Sequence, residues 1–251
     1  LSRAWNAADA LNTTYQVSGL AFQPKALAFY IVGIASATDA ASAAVDGRRC
    51  GGFASSTSNR RCLGTYSVDA GASSAGSTFN RTDAVIATVD GGGALTGALD
   101  LSAIAADGFT LIVDDVAPAD LSVMWKAWGG TDISNAEAIT VDSPAVAGTV
   151  EVNLVGAFQP DVLLIFSSSD VAADNGATNN AGGFGFGFTT GTAAAQNVCI
   201  AGSEDDASPQ MDTDGYIQDG ECLAVIERTG GTVVVRAVLS SFDADGFTLN
   251  Y

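Results

Sequence analysis

The chain has 251 residues with 10 Lys+Arg against 28 Asp+Glu and no histidine, giving a net charge of −18 and an isoelectric point near 4.1. So acidic a chain is repelled by nucleic-acid backbones and anionic membranes, and without histidine it lacks the commonest general base and zinc ligand. Hydrophobics at 47%, 29 glycines and only 5 prolines suit a globular protein of short strands and tight turns, and no apolar run reaches the ~18 residues of a membrane span.

In chain order, Leu1-Ser2-Arg3-Ala4-Trp5-Asn6-Ala7 matches Leu121-Ser122-Val123-Met124-Trp125-Lys126-Ala127. Residues 1–14 therefore read as the closing strand of a preceding or partner unit plus a linker. With no initiator methionine and no signal-like segment, the sequence reads as a processed chain or a piece of something longer. Next comes Gly19-Leu20-Ala21-Phe22-Gln23-Pro24, which returns as Val155-Gly156-Ala157-Phe158-Gln159-Pro160 at an offset of 136 residues. Gly51-Gly52-Phe53 matches Gly182-Gly183-Phe184, Cys62-Leu63 matches Cys199-Ile200, and Ala106-Asp107-Gly108-Phe109-Thr110-Leu111 matches Ala244-Asp245-Gly246-Phe247-Thr248-Leu249. Landmarks in one order at nearly constant offset mean a tandem duplication. Residues 15–140 are the first unit and 141–251 the second, which stops before a counterpart of the Trp-bearing strand. Either the chain is a window on a longer array, or residues 1–7 supply that strand to the second unit, within a chain or between subunits.

Within each unit the signals are those of strands. The Gln-Pro step holds the chain extended and launches an apolar run, Lys25 to Gly33 in the first unit and Asp161 to Phe166 in the second. Polar loops follow over 36–49 and 167–181. Phe184-Gly185-Phe186-Gly187-Phe188 puts three rings on one face of a strand and bare glycine on the other. Asn197–Gly202, Tyr216–Glu227 and Thr232–Leu239 continue the series, with Arg228-Thr229-Gly230-Gly231 and Val89-Asp90-Gly91-Gly92-Gly93 as matching hairpin turns. No long amphipathic helix is legible. The fold expected is all-β, two tandem β-sandwiches of jelly-roll or Greek-key type.

Few residues suggest chemistry. A hairpin turning near Ser56 to Ser58 sets Cys50 against Cys62, so Cys50–Cys62 and Cys199–Cys222 are the natural disulfides, with four buried free thiols as the other reading. Asp212-Thr213-Asp214-Gly215 and Asp243-Ala244-Asp245-Gly246 open like calcium loops but lack the distal glutamate. Asx-type turns account for both, and an irregular calcium site in the stretch Glu204-Asp205-Asp206 to Asp214 is the other reading. Neither a catalytic metal nor another cofactor is expected, and a Ser-His-Asp arrangement is impossible. Trp5, Trp125 and Trp128, with the Phe184–Phe188 face, are candidates for a sugar-stacking platform; the other reading is core, since Trp5 and Trp125 recur where the fold needs them, which leaves Trp128 as the candidate ligand contact. Arg48, Arg49, Arg60 and Arg61 form a local positive patch suited to an acidic neighbouring subunit.

Phe22-Gln23-Pro24-Lys25-Ala26-Leu27, Gly51-Gly52-Phe53, Ala106 to Leu111 and Trp128-Gly129-Gly130-Thr131-Asp132, with their second-unit copies, resemble a repeated module of tailed-bacteriophage virion proteins associated with tails, fibres or head surfaces. The resemblance spans most of the chain and carries no catalytic residues. It implies a non-enzymatic, extracellular structural protein that assembles with copies of itself and with other virion proteins. An adhesive module that binds a surface glycan is the alternative, and a calcium-stabilised surface-layer protein a weaker third.

Overall fold

A computed structural model describes residues 2–32, 46–68, 76–168, 175–178, 183–191, 195–203, 213–226 and 231–251. The chain is all-β. In the first unit the strands are β1 (Ser2–Trp5), β2 (Thr14–Val17), β3 (Pro24–Val32), β4 (Gly47–Ala54), β5 (Arg60–Ser67), β6 (Gly76–Arg81), β7 (Ile86–Val89), β8 (Leu95–Ala105), β9 (Gly108–Asp115) and β10 (Leu121–Gly129). The second has β11 (Thr149–Asn153), β12 (Leu163–Ser168), β13 (Ala177–Thr178), β14 (Gly183–Thr189), β15 (Gln196–Ser203), β16 (Thr213–Asp219), β17 (Leu223–Ile226), β18 (Val233–Asp243) and β19 (Gly246–Asn250).

The sheets show the duplication directly. The first unit pairs β1-β10-β3-β4-β5-β6 in one sheet and β2-β9-β8-β7 in the other; the second pairs β12-β14-β15-β16 and β11-β19-β18-β17. All described pairings are antiparallel. In the first unit β10 returns by a long connection to lie beside β3, a Greek-key order. Period-2 alternation turns Leu27, Phe29 and Ile31 of β3 and Phe109, Leu111 and Val113 of β9 into one core between the two sheets, which Trp5, Leu121 and Val123 extend.

Two backbone devices recur. Residues Ala21 and Ala157, one step before each Phe-Gln-Pro, lie in the left-handed region at φ +60° and +44°. Each turns the chain from one sheet into the other. At Gly52 and Gly187 an added Cβ would land on the carbonyl oxygens of Val85 and Cys222 respectively, so the sheets meet there through bare backbone. That contact fixes the alignment: Gly51-Gly52-Phe53 corresponds to Phe186-Gly187-Phe188, and not to residues 182–184 as string similarity suggested. Because Gly52 pairs with Cys62 and Gly187 with Val198, the equivalent of Cys62 is Val198.

Further expectations are revised. Tyr216–Glu227 is not one strand but two, β16 and β17, in opposite sheets. Residues 1–7 do not close the second unit within this chain: β1 lies on β10, with Ser2 opposite Met124 and Trp5 opposite Leu121. The reason is packing, since Trp5 is 1% exposed in the first unit's core. Most of the polar loops at 36–49 and 167–181, and turn residues 228–230, lie outside the described residues.

The left-handed alanines and the glycine contact give opposite expected shifts. Replacing Ala157 by glycine relieves a strained φ, and the melting temperature should rise or hold. Gly187→Ala has only backbone to push against and should cost about 1–3 kcal/mol or more, lowering the melting temperature by several degrees in calorimetry.

Candidate functional site

Outward-facing residues of the two sheets with aromatic and glycine positions meet each other, and this joint is the most built feature of the molecule. On β12, Leu163, Ile165 and Ser167 face the second unit's interior, so alternation turns Leu164 and Phe166 outward. Phe166 lies stacked on Phe53 of β4, with ring centroids 4.6 Å apart. Phe184 and Phe186 flank it at 5.5 and 5.6 Å, and Phe184 reaches Tyr30 of β3 at 5.9 Å. The ring fits because Gly51 has no side chain: an added Cβ would lie 2.6 Å from Phe166. Burial of the Tyr30 hydroxyl against this cluster raises its pKa, and the charge of Arg49 offsets that in part. The alternating Phe-Gly run thus serves both faces of β14, glycine toward the opposing sheet and phenylalanine toward the first unit.

Hydrogen bonds lock the joint at its margins. β13 adds to the edge of the first unit's sheet, pairing Ala177 with Phe79 and Thr178 with Thr78. Beside it the Asn80 N–H donates to the Gly176 carbonyl at 3.0 Å, and the Asn175 side-chain oxygen accepts from the Thr82 N–H at 2.8 Å and hydroxyl at 3.1 Å. A sheet edge that would otherwise be open is covered. The connection between units, residues 130–148, is pinned at three points. Lys25 Nζ donates to the Ile133 carbonyl at 2.6 Å. The Asn59 side chain both donates to the Ala138 carbonyl (3.1 Å) and accepts from its N–H (2.7 Å). Glu137 accepts from the N–H groups of Val155 (3.2 Å) and Gly156 (3.1 Å), where the second Phe-Gln-Pro turn begins.

Between the units lies a cavity of about 630 Å³. The first unit contributes Phe53, Arg61 and Trp128, and the second Leu163, Ile165 and Phe247. It reaches the second unit's core beside β12, which among the described residues has a strand on one side only, whereas β3 has one on each. In the first unit, Trp125 of β10 packs edge-on to Phe109 at 5.1 Å. The equivalent Phe247 has instead Ile139 and Val141 of the connection packed against its cluster.

The residues singled out from sequence fall into different places. All four cysteines are free thiols. Cys50 pairs with Gly64 and Cys62 with Gly52, so the hairpin is centred one residue beyond the expected midpoint and the two thiols sit diagonally. Cys199 is exposed on the outer face of β15, between inward Val198 and Ile200, whereas Cys222 is fully buried, so these two cannot bridge. Burial pushes the Cys62 thiol well above its ordinary value, helped by Cys50, and raises Cys222 to about 11. Thiols held in that form are poor nucleophiles.

The arginines do not form one free patch. Arg48 pairs with Asp46 at 3.2 Å and lies 5.1 Å from the Tyr66 ring, whose hydroxyl donates to Asp46 and has its pKa raised to about 12 by burial and that bond. Arg60 pairs with Asp100 across the sandwich and donates to the Asp83 carbonyl at 3.1 Å. Burial raises the Asp100 pKa, with Arg60 opposing. The equivalent position in the second unit is Gln196, fully buried, which bonds both the carbonyl (3.2 Å) and N–H (2.6 Å) of Leu239. Arg60 is therefore an inter-sheet bolt. Arg49 is exposed, and Arg61 lines the cavity. Trp128 also faces outward to the cavity, with Lys126 Nζ 5.1 Å from its ring centre.

No group of three metal-ligating side chains occurs among the described residues, and most of the acidic stretch 204–214 lies outside them. Asp243 accepts from Ser241 and Thr248 hydroxyls at 2.8 Å each, as a turn-capping carboxylate does. Sequence reasoning did not single out Tyr30, Phe166, Asn59, Glu137 or Asn175, and took Gly51 only as a repeat landmark. The one available signal was that Tyr30 and Phe166 are equivalent outward positions on a strand otherwise read as buried on both faces. No family model, curated protein or solved structure matches the chain.

Two outcomes are expected. Phe166→Ala should cost about 2–4 kcal/mol and speed hydrogen exchange at β13 and β6, where the units are stitched, more than at β8 and β9. The second concerns alkali. Cys62, Cys222 and Tyr66 have folded values above the ordinary 9.0 for thiol and 10.0 for phenol, so their protonated forms favour the fold. That contribution is complete below about pH 9 and is lost as pH rises toward 11 and 12. Melting temperature should be flat with respect to these groups from pH 7 to 9 and fall steeply above.

Proposed function

We propose that the chain is a non-enzymatic structural component of a tailed-phage virion, a surface, decoration, fibre or tail protein acting through subunit assembly. The observation that carries the structural part of this reading is the joint: two sandwiches are fused through stacked aromatics, an added strand and a pinned connection. Arg60–Asp100, Gln196–Leu239 and Asp243 are engaged in holding sheets and turns together. The motif resemblance supplies the virion setting. The acidic surface suits a protein that stays soluble at high local concentration and meets specific partners only.

A second reading is favoured by one observation. Trp128, half-exposed with Lys126 beside it, stands at a cavity large enough for a sugar unit, as an adhesive module for a surface glycan would require.

Native mass measurement with size-exclusion chromatography tests the first reading: the expected result is an assembled species, and a strict monomer at all concentrations overturns it. Glycan-array binding that disappears in Trp128→Ala would favour the second.

A further inference from the structure

We propose that the outer face of β14, β15 and β16 in the second unit is an assembly surface, on which a second copy of the chain docks through the same face. Cross-strand pairing lines up one row of outward side chains: Phe166 opposite Phe186, Phe186 opposite Cys199 and Cys199 opposite Ile217. The row starts inside the joint, where Phe166 is stacked on Phe53, and runs out of it into solvent. Phe186 is 38% exposed and Ile217 80%, with Cys199 exposed between them and Phe188 beside them at 37%. Ten large hydrophobic side chains are exposed among the described residues, and three of them stand together here. A single exposed apolar residue needs no explanation, whereas a contiguous group on one face marks a contact surface.

The first unit shows how this face is used. Its equivalent row is Tyr30, Gly51, Leu63 and Asn80. That row is the seat of the joint: Phe166 lies over Gly51, and Leu63 and Asn80 line the cavity between the units. One unit's outer face is therefore an interface already, and the row on the other continues it. Where the first unit has Asn80 the second has Ile217, an apolar side chain that its own core does not use.

Charge selects the partner. A chain of net −18 repels its own copies wherever carboxylates face each other. Among the described outward positions of β14, β15 and β16 only Asp219 is charged, so copies approach here at little electrostatic cost. A two-fold axis parallel to β15 and passing over Cys199 brings Phe186 of one copy against Ile217 of the other, because neighbouring strands set them ~4.8 Å to either side. The same axis keeps each Asp219 away from its own counterpart. Three strands ~4.8 Å apart and ~23 Å long offer roughly 300 Å² per copy, against ~800 Å² per partner in a standard interface. The contact is thus reversible, forms as concentration rises and becomes firm where many copies are held together.

The inference deepens the assembly reading and rests on it, and the test separates the two. Cys199 is the one exposed thiol, the other three being buried, so it reports on the face without any substitution. Its reaction with a maleimide should slow about ten-fold between dilute and assembled protein, since a closed contact protects what it covers. Ile217→Asp removes the apolar end of the row and adds a carboxylate to each copy. It should leave the melting temperature in place, because that side chain is exposed, and return Cys199 to its dilute labelling rate. Self-association should weaken about ten-fold or more, each copy losing the contact once, whereas Ile217→Val should behave as the unmodified chain. Chains that assemble by native mass yet label Cys199 at the dilute rate and are indifferent to Ile217→Asp overturn this face as the contact, while leaving assembly through another surface standing. A strict monomer at all concentrations overturns both and assigns the row to a partner other than a copy.

Discussion

Phe166 resting on the bare backbone of Gly51 sets where everything else in the second unit must lie. A ring can approach a strand that closely only where no Cβ intervenes, and the contact is sealed by Phe53 on one side and by Phe184 and Phe186 on the other. Aromatic side chains bury much area with few rotors to immobilise, so such a cluster orders two sheets at low entropic cost. With the outer faces held together, β13 pairs with the β6 edge. The connection is likewise short enough to be pinned from both sides by Asn59, Lys25 and Glu137.

The two copies have diverged in a way that this contact explains. Each retains the devices that a single sandwich needs: a left-handed alanine before Phe-Gln-Pro, a glycine under an opposing carbonyl, and the Asp-Gly-Phe-Thr-Leu turn. Where the sheets are bolted the chemistry differs but the task does not, an ion pair at Arg60 and a neutral amide at Gln196. A buried amide that bonds both a carbonyl and an N–H leaves no charge to desolvate, which suits the more acidic unit. The outer faces differ most. The first unit has Gly51 where the second has Phe186, so one face is a seat and the other fills it.

The duplication, the strand character and the alternation of the Phe-Gly run were legible because they are local or periodic. Register was less so. Glycine-rich strings match at several offsets, and only the close approach at Gly52 and Gly187 shows that residues 186–188 correspond to 51–53. Cysteine pairing failed for a related reason: Ala54 opposite Arg60 centres the hairpin on residue 57, and one residue of error in a centre moves a partner by two. Arg60 was misread as a surface charge because its partner Asp100 lies 40 positions away in the opposite sheet. The joint itself was not legible, since nothing in a strand's own pattern says what its outer face will meet.

The same asymmetry bears on why the second unit has a divided core. In the first unit Trp5, Leu121, Val123 and Trp125 bring one continuous cluster across both sheets. Without them the second unit's buried residues fall into two groups, one around Phe247 and Leu249, the other around Val198 and Ile226. Ile139 and Val141 of the connection cover part of the first group, as a patch of two side chains and not as a strand. Among the described residues, then, one task is done in two ways: the first unit covers its Phe109 end with a hydrogen-bonded strand that carries Trp125, and the second covers its Phe247 end with side chains of the connection alone.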